Sequence, residues 1–177
     1  MRILILYASL EGQTEKIAEN IAQVFNSKGQ QVDALSVEKL PADFSEDDYQ
    51  AVILGGPIHM ERYPKQLKQF VLTHCDWLNQ LPSAFFTVCM AIRSQHEKSR
   101  QTGIQYGEKF LAQTGWQPTL TKTFAGAVKY TQYNVITRFI MKMISKREGG
   151  STDTSRDHEY TDWDSVAQFA DEFLGLL

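Results

Sequence analysis

Ile3-Leu4-Ile5-Leu6-Tyr7-Ala8 is apolar at every position. Successive side chains of a strand point to opposite faces. A run of this kind therefore belongs in a sheet covered on both sides, a parallel sheet with helices above and below. Ser9-Leu10-Glu11-Gly12-Gln13-Thr14 follows at once, and then an amphipathic stretch carrying Ile17, Ala18, Ile21, Ala22, Val24 and Phe25. Strand, short polar loop and helix in that order bring backbone N–H groups and two hydroxyls to a helix N-terminus. The unpaired donors and partial positive charge there suit a phosphate. The loop has neither the glycine-lysine pattern of the P-loop nor the triple glycine of the dinucleotide fingerprint.

The alternation continues along the chain. Strands are predicted at Arg2–Tyr7, Gln31–Ser36, Ala51–Gly55, Ala84–Val88 and Thr121–Ala127, and helices at Gln13–Lys28, Pro64–Leu78, Lys98–Thr114 and Asp162–Leu177. Pro64 suits a first helical position. Thr161-Asp162-Trp163-Asp164 reads as a capping box in which Asp164 reaches back to a free N–H. Alternating βα units define an α/β chain with a doubly wound parallel sheet. At 177 residues it suits one domain, 1–177, with a full-sized core.

Composition removes several function classes. A net charge of −3 argues against nucleic acid as a partner. Cys75 and Cys89 form no C-x-x-C and read as packing residues of a reduced intracellular protein, with no metal implied. The first apolar run is too short for a signal-peptide core, and none approaches the ~20 residues of a membrane-spanning helix.

Residues 128–161 break the alternation, and a connection of that length is usually functional. Its first half predicts a helix over Asn134–Lys146, and Glu148–Ser155 reads as a loop. Val135, Ile136, Phe139, Ile140, Met143 and Ile144 cover one half of that helix, and Met141 is the apolar residue off the stripe. Such a stripe suits either packing on the chain's own core or a face for a hydrophobic partner. Tyr130 and Tyr133 before it, with Arg138, Lys142, Lys146 and Arg147 beside it, suit a helix lying in a lipid surface or an anionic, greasy ring.

In an open parallel sheet, ligands sit beyond the carboxyl ends of the strands. Three loops should meet there. Ser9, Leu10, Glu11, Gly12, Gln13 and Thr14 face a phosphate. Pro57, Ile58 and His59 follow the third strand, and Cys89, Met90, Ala91, Ile92 and Arg93 follow the fourth. A hydroxyl-rich loop with one glycine points to the phosphate of flavin mononucleotide, FMN, whose flat ring wants Ile58, Met90 and Ile92 beside it. Ser9 and Thr14 also suit turn and cap roles, and His59 a solvated loop position. Tyr63 reads as a staple before Pro64, and Cys89 as a buried thiol.

The chain resembles the flavodoxin-like fold over nearly its full length. Within it the chain resembles the bacterial menaquinone-dependent protoporphyrinogen oxidases. The stretches that carry this are Leu4-Ile5-Leu6 with Glu11-Gly12-Gln13-Thr14, Leu81-Pro82-Ser83-Ala84-Phe85, Trp116-Gln117-Pro118, Met141-Lys142-Met143, Gly149-Gly150-Ser151-Thr152-Asp153-Thr154 and Tyr160-Thr161-Asp162-Trp163. The resemblance implies a five-stranded sheet ordered 2-1-3-4-5, with a helical insert after strand five. It also implies FMN-dependent oxidation of protoporphyrinogen IX to protoporphyrin IX in haem synthesis, with electrons passed to a membrane quinone, menaquinone or ubiquinone. Such an enzyme must reach lipid, so the expected location is peripheral, on the cytoplasmic side of the inner membrane, with the insert at the surface. Lys129, Tyr130, Tyr133, Arg138, Phe139, Lys142, Met143 and Lys146 are the candidates for contact with substrate or membrane. Arg93 and Lys129 are candidates for holding propionates.

Two departures from ordinary flavodoxins matter. Glu11 stands where their phosphate loop carries threonine, and a carboxylate facing a phosphate is repelled, so its side chain is expected to turn outward. Ile92 and Arg93 stand where those proteins stack an aromatic ring, which leaves a flavin face open for a large planar substrate. Other functions compatible with the fold are a flavodoxin-type electron carrier, which the small net charge disfavours, and an NAD(P)H:quinone reductase. A phosphoacceptor regulator fails, because Tyr7-Ala8-Ser9 stands where its acidic cluster belongs. A homo-oligomer is compatible with the sequence.

Overall fold

Strand β1 (Arg2–Tyr7) supplies both cores of the molecule, because alternate side chains leave opposite faces of the sheet. The computed structural model describes residues 1–147 and 150–177, with Arg147 as backbone only. Ile3, Ile5 and Tyr7 pack under α1 (Gln13–Ser27) and α6 (Trp163–Leu174). Leu4, Leu6 and Ala8 pack under α2 (Lys65–Thr73), α3 (Cys75–Gln80) and α4 (Glu97–Thr114). Ile3 through Leu6 are wholly buried, and each such side chain stabilises the fold by about 1.5–3 kcal/mol.

The main sheet is parallel and ordered β2-β1-β3-β4-β5, with β2 at Gln31–Ser36, β3 at Ala51–Pro57, β4 at Ser83–Val88 and β5 at Leu120–Phe124. This is the order that the resemblance implied. Gly55 on β3 is required by packing, since a Cβ there would stand 1.9 Å from the Phe86 ring.

Local differences from the sequence reading have physical causes. The helix predicted over Pro64–Leu78 is two helices. His74, at φ −111°, separates α2 from α3 while its ring stacks on Phe70 at 4.2 Å and bonds Glu46. The last helix is capped by Asp162, which accepts from the Ser165 N–H at 3.1 Å, so Asp164 caps nothing. Thr161 instead donates to the Ala125 carbonyl at 2.8 Å. The fifth strand ends at Phe124, where the chain leaves the sheet. Ala127–Val128 (β6) then pairs antiparallel with His158–Glu159 (β7), a two-residue ladder too short to read from sequence. This ladder closes the base of the insert, whose helix α5 spans Val135–Arg147. The side chain of Arg147 and the loop positions Glu148 and Gly149 lie outside the described residues.

Candidate active site

Strand order reverses at β1, so the loops after β1 and β3 part there and leave a crevice at the carboxyl edge of the sheet. A cleft of about 140 Å³ lies at this edge. Leu10, Glu11, Gln13 and Thr14 line it from the first loop and the start of α1, Pro57, Ile58 and His59 from the end of β3 and its loop, and Val88 and Met90 from the end of β4 and the loop after it. Gly126, Ala127, Tyr133, Thr137 and Met141 complete the wall.

The loop at the start of α1 is open to an anion. Gly12 caps the helix at φ 83°, a left-handed conformation that glycine adopts without steric cost. No side chain caps the helix, so its first-turn N–H groups stay available. Ser9 Oγ accepts the Gly12 N–H at 3.1 Å, so Ser9 shapes the loop from within and its own O–H remains to donate. Gln13 is 5% exposed, and its Nε2 donates to Thr161 Oγ1 at 2.9 Å. Thr161 already gives its own proton to Ala125, so the Gln13 amide cannot be reversed. That leaves Gln13 Oε1 as a buried acceptor without a partner. FMN answers both features: its phosphate takes N–H donors, and its ribityl chain carries hydroxyls that donate to an orphan oxygen.

The insert helix walls the cleft with Thr137 and Met141. Thr137, Met141 and Ser145 are spaced by four residues and face inward, Ser145 donating to the Ser151 carbonyl at 2.9 Å. The apolar stripe therefore points away from the protein. Val135 is 82% exposed and Phe139 64%, and Ile136, Ile140, Met143 and Ile144 are exposed with them. Lys142 and Lys146 are exposed beside that stripe.

Several expected placements are corrected. Glu11 does not turn out to solvent; its Oε2 accepts the Tyr133 hydroxyl at 2.9 Å. Burial pushes the Tyr133 phenol well above its ordinary pKa, opposed by the Lys129 N–H that donates to the phenol oxygen and aided by the Glu11 carboxylate. Tyr130 is fully buried rather than interfacial, and its hydroxyl donates to the Ser151 carbonyl. Arg138 is occupied by the Tyr130 and Tyr133 carbonyls at 3.1 and 3.2 Å, so it pins the insert and is not free for an anion. Lys129 lies by Asp157, whose carboxyl is held below the usual range chiefly by the Thr131 N–H, with the Lys129 charge adding to it.

The loop after β4 is also placed differently. Met90–Arg93 winds into a single tight turn, and of this loop Met90 alone lines the cleft. Cys89 and Ala91 pack against Gly103 of α4, and burial raises the Cys89 thiol pKa. Ile92 lines a separate groove beside α4. Arg93 sits over the Tyr160 ring, 4.1 Å from its centroid, a cation–π contact to the residue that follows β7. Tyr63 packs against Phe85 and Phe110 and bonds Thr87 at 2.6 Å, which is a structural role.

Sequence reasoning missed Thr137, Met141, Gly126 and Ala127. Met141 had a visible signal, since it is the apolar residue off the outward stripe.

Among solved structures, oxidised Flavodoxin 1 from Bacillus cereus covers 99% of its own length and 100% of this chain, at a TM-score of 0.57 and 16% identity. An archaeal flavodoxin aligns at a TM-score of 0.55 and 14% identity, over 99% of this chain and 98% of its own. The flavodoxin domain family matches residues 4–155. Sheet order, crevice and the family match thus define a flavodoxin-type domain. Protoporphyrinogen IX dehydrogenase (quinone) of Escherichia coli K12 is 36% identical over 176 residues, spanning 99% of this chain and 96% of that protein. The enzyme of the same name from Leishmania major is 34% identical, over 99% of this chain and 75% of its own length. The chain belongs to the protoporphyrinogen IX dehydrogenase (quinone) family.

Proposed function

We propose that this chain oxidises protoporphyrinogen IX to protoporphyrin IX with FMN, and delivers the electrons to a menaquinone or ubiquinone at a membrane surface. Residues 1–177 act as one flavodoxin-like unit, with 128–161 as the working insert. The observation that carries the reading is the two-sidedness of α5. One ridge of this helix walls the FMN cleft, and the opposite side exposes an apolar stripe. A lipid-soluble acceptor and a protein-bound flavin are brought together by such a helix, and a fully soluble electron carrier has no use for its outward face.

The chain's own residues divide the work. Backbone N–H groups at the start of α1, with Thr14, hold the phosphate, and Gln13 Oε1 accepts from the ribityl chain. Pro57, Ile58 and Met90 give apolar contact to the ring. Held there, FMN would supply the hydride-accepting and electron-donating chemistry between tetrapyrrole and quinone. Tyr133, Thr137 and Met141 keep water from one side of the cleft. Glu11 is committed to Tyr133, so the His59 imidazole at the rim is the group left to accept protons from the pyrrole nitrogens.

The membrane contact is peripheral. No helix among the described residues is long and apolar enough to cross a membrane. The apolar stripe enters the headgroup boundary, Lys142 and Lys146 meet anionic lipid, and the contact lies on the cytoplasmic side of the inner membrane. Each lysine contributes about 1 kcal/mol near such a surface.

An anaerobic assay of protoporphyrinogen consumption tests the reading. Consumption should be stoichiometric with FMN when no acceptor is added, and continuous with a quinone. Flavin that stays oxidised under protoporphyrinogen, or that is bleached by NADH or NADPH instead, would reject it.

A further inference from the structure

A second hollow opens on the far side of the turn that rims the FMN cleft. Residues His59–Arg62 form a tight two-residue turn, His59 and Arg62 exchanging both backbone hydrogen bonds at 3.0 and 3.1 Å. His59 lines the FMN cleft, and Arg62 lines a groove of about 440 Å³ between α2 and α4. This groove has roughly three times the volume of the cleft itself. Its charge is lopsided. Arg62, Lys65, Lys68 and Lys109 line it, against the single carboxylate of Glu61. None of the four cations is in an ion pair among the described residues. Lys68 Nζ is held across the groove by Gln113 Oε1 at 2.8 Å, a neutral partner that leaves its charge uncompensated. Lys65 and Lys68 stand in the first turn of α2, which has no acidic residue to offset them. Cations there oppose the helix dipole, so both lysines are placed at a cost in stability that an anion in the groove would reverse. Tyr106, with Tyr63 and Phe110 behind it, gives the groove an aromatic wall.

We infer that the groove between α2 and α4 receives the two propionate carboxylates of the tetrapyrrole, with Arg62, Lys65, Lys68 and Lys109 as the ligands. The inference rests on the protoporphyrinogen reading above and names where the substrate's charged end lies. The ligand must carry two anionic groups on a flat, greasy body that reaches past the turn to the flavin. Tetrapyrrole propionates fit that description, and carboxylates form strong charge-assisted bonds with such groups. Of the cations beside the cleft, Arg93 lies over the Tyr160 ring and Arg138 is turned onto two backbone carbonyls of the insert. Anionic lipid is the competing occupant. The aromatic wall favours a ring over a headgroup, and the outward stripe of α5 already offers lipid a separate surface.

The test is fluorescence titration of FMN-loaded protein with protoporphyrin IX and with its dimethyl ester, for the wild type and a Lys65→Gln/Lys68→Gln variant. Wild type should prefer the free acid. The variant should bind the free acid about tenfold more weakly and the ester unchanged, as expected for two charge-assisted contacts at partial exposure. The same loss should fall on KM rather than kcat for protoporphyrinogen. Arg62→Gln should repeat the effect. Wild type that binds acid and ester equally, or a variant that keeps the wild-type ratio, overturns the inference while turnover with quinone stays intact. Loss of binding to anionic phosphatidylglycerol vesicles with porphyrin binding retained would assign the groove to lipid and also overturn it. A wild type that neither binds protoporphyrin nor consumes protoporphyrinogen sinks both readings together.

Discussion

Tyr133 donates its hydroxyl to Glu11 Oε2 at 2.9 Å, joining two residues 122 positions apart across the cleft at the sheet's edge. Glu11 belongs to the loop before α1 and Tyr133 to the insert, so the bond couples two walls of the cleft. The raised phenol pKa keeps Tyr133 a donor; its contribution is present below ~10, the ordinary tyrosine value, and is lost as pH rises through the higher folded value. Tyr133→Phe removes the bond and leaves the ring. The site is half-buried, so the loss is set at about 1 kcal/mol, or about fivefold. FMN release followed by stopped-flow fluorescence should quicken by that factor. An unaltered release rate would show that the bond does not hold the insert over the cofactor.

Gln13 carries an opposite signature in free and loaded protein. Its Oε1 is buried without a partner, and an unsatisfied acceptor costs about 1–3 kcal/mol. Gln13→Met keeps the side-chain length and removes that oxygen together with the Nε2 bond to Thr161. Apo protein should melt at the same temperature or higher, while the FMN dissociation constant rises about tenfold, one neutral hydrogen bond's worth in a buried site. Equal losses in apo stability and FMN affinity would mean that Gln13 serves packing alone.

These two residues show where sequence reasoning reaches and where it stops. The loop before α1 was legible as a turn because a βα turn has one local geometry, and Gly12 at φ 83° declares it. The apolar strands gave the sheet for a similar local reason. The partners of the loop were not legible. Gln13 meets Thr161 and Glu11 meets Tyr133 through contacts more than a hundred residues apart, and no local pattern encodes them. The insert helix was legible as amphipathic, but its orientation was not. Periodicity locates a stripe and is blind to which side faces the protein, and here the inward ridge is Thr137, Met141 and Ser145. The loop after β4 was hard to place for a third reason: a four-residue tight turn sends Ile92 to the groove beside α4, while Met90 and Arg93 line one small pocket under α5.

The outward stripe of α5 should govern contact with lipid. Ile136→Glu/Phe139→Glu alters two largely exposed residues, so the fold and FMN content should be kept. Burying each original side chain in lipid is worth about 1.5–3 kcal/mol when complete. Cosedimentation with anionic vesicles should therefore fall at least about tenfold, with a matching loss of turnover on membrane-embedded quinone. Wild-type vesicle binding by this variant would remove the stripe from any role at the membrane.

The insert should loosen in acid. Asp157 Oδ1 accepts both the N–H and the hydroxyl of Thr131, at 2.9 and 2.8 Å, and these bonds hold its pKa below the ordinary range. A depressed folded pKa contributes stability above the unfolded value of ~4, and that stability is lost as pH falls through the lower folded value. Protection of amides within residues 128–161, relative to their intrinsic exchange rates, should fall below about pH 4, ahead of protection in the sheet. Asp157→Asn should exchange faster already at neutral pH and lose the acid dependence. Protection that falls uniformly across the chain would place the acid sensitivity elsewhere.

Met60 and Glu61 stand at the tip of the His59–Arg62 turn with φ of 47° and 63°. Both are left-handed conformations that cost a side-chain-bearing residue about 1–2 kcal/mol, less for asparagine or glycine. The turn is of the hairpin kind in which Asn-Gly is preferred, and this chain places Met-Glu there instead. Met60 is 82% exposed, so replacing it loses no packing. Met60→Asn should stabilise the protein by about 0.5–1 kcal/mol, a rise in Tm of about 2–4 °C per kcal/mol for a chain of this size. The same change relaxes the rim shared by the cleft and the groove, since His59 lines one and Arg62 the other. Strain kept at a rim holds two side chains in a fixed relation. The variant should therefore gain stability and lose turnover, and a gain in both would mean that the strained turn has no part in positioning His59.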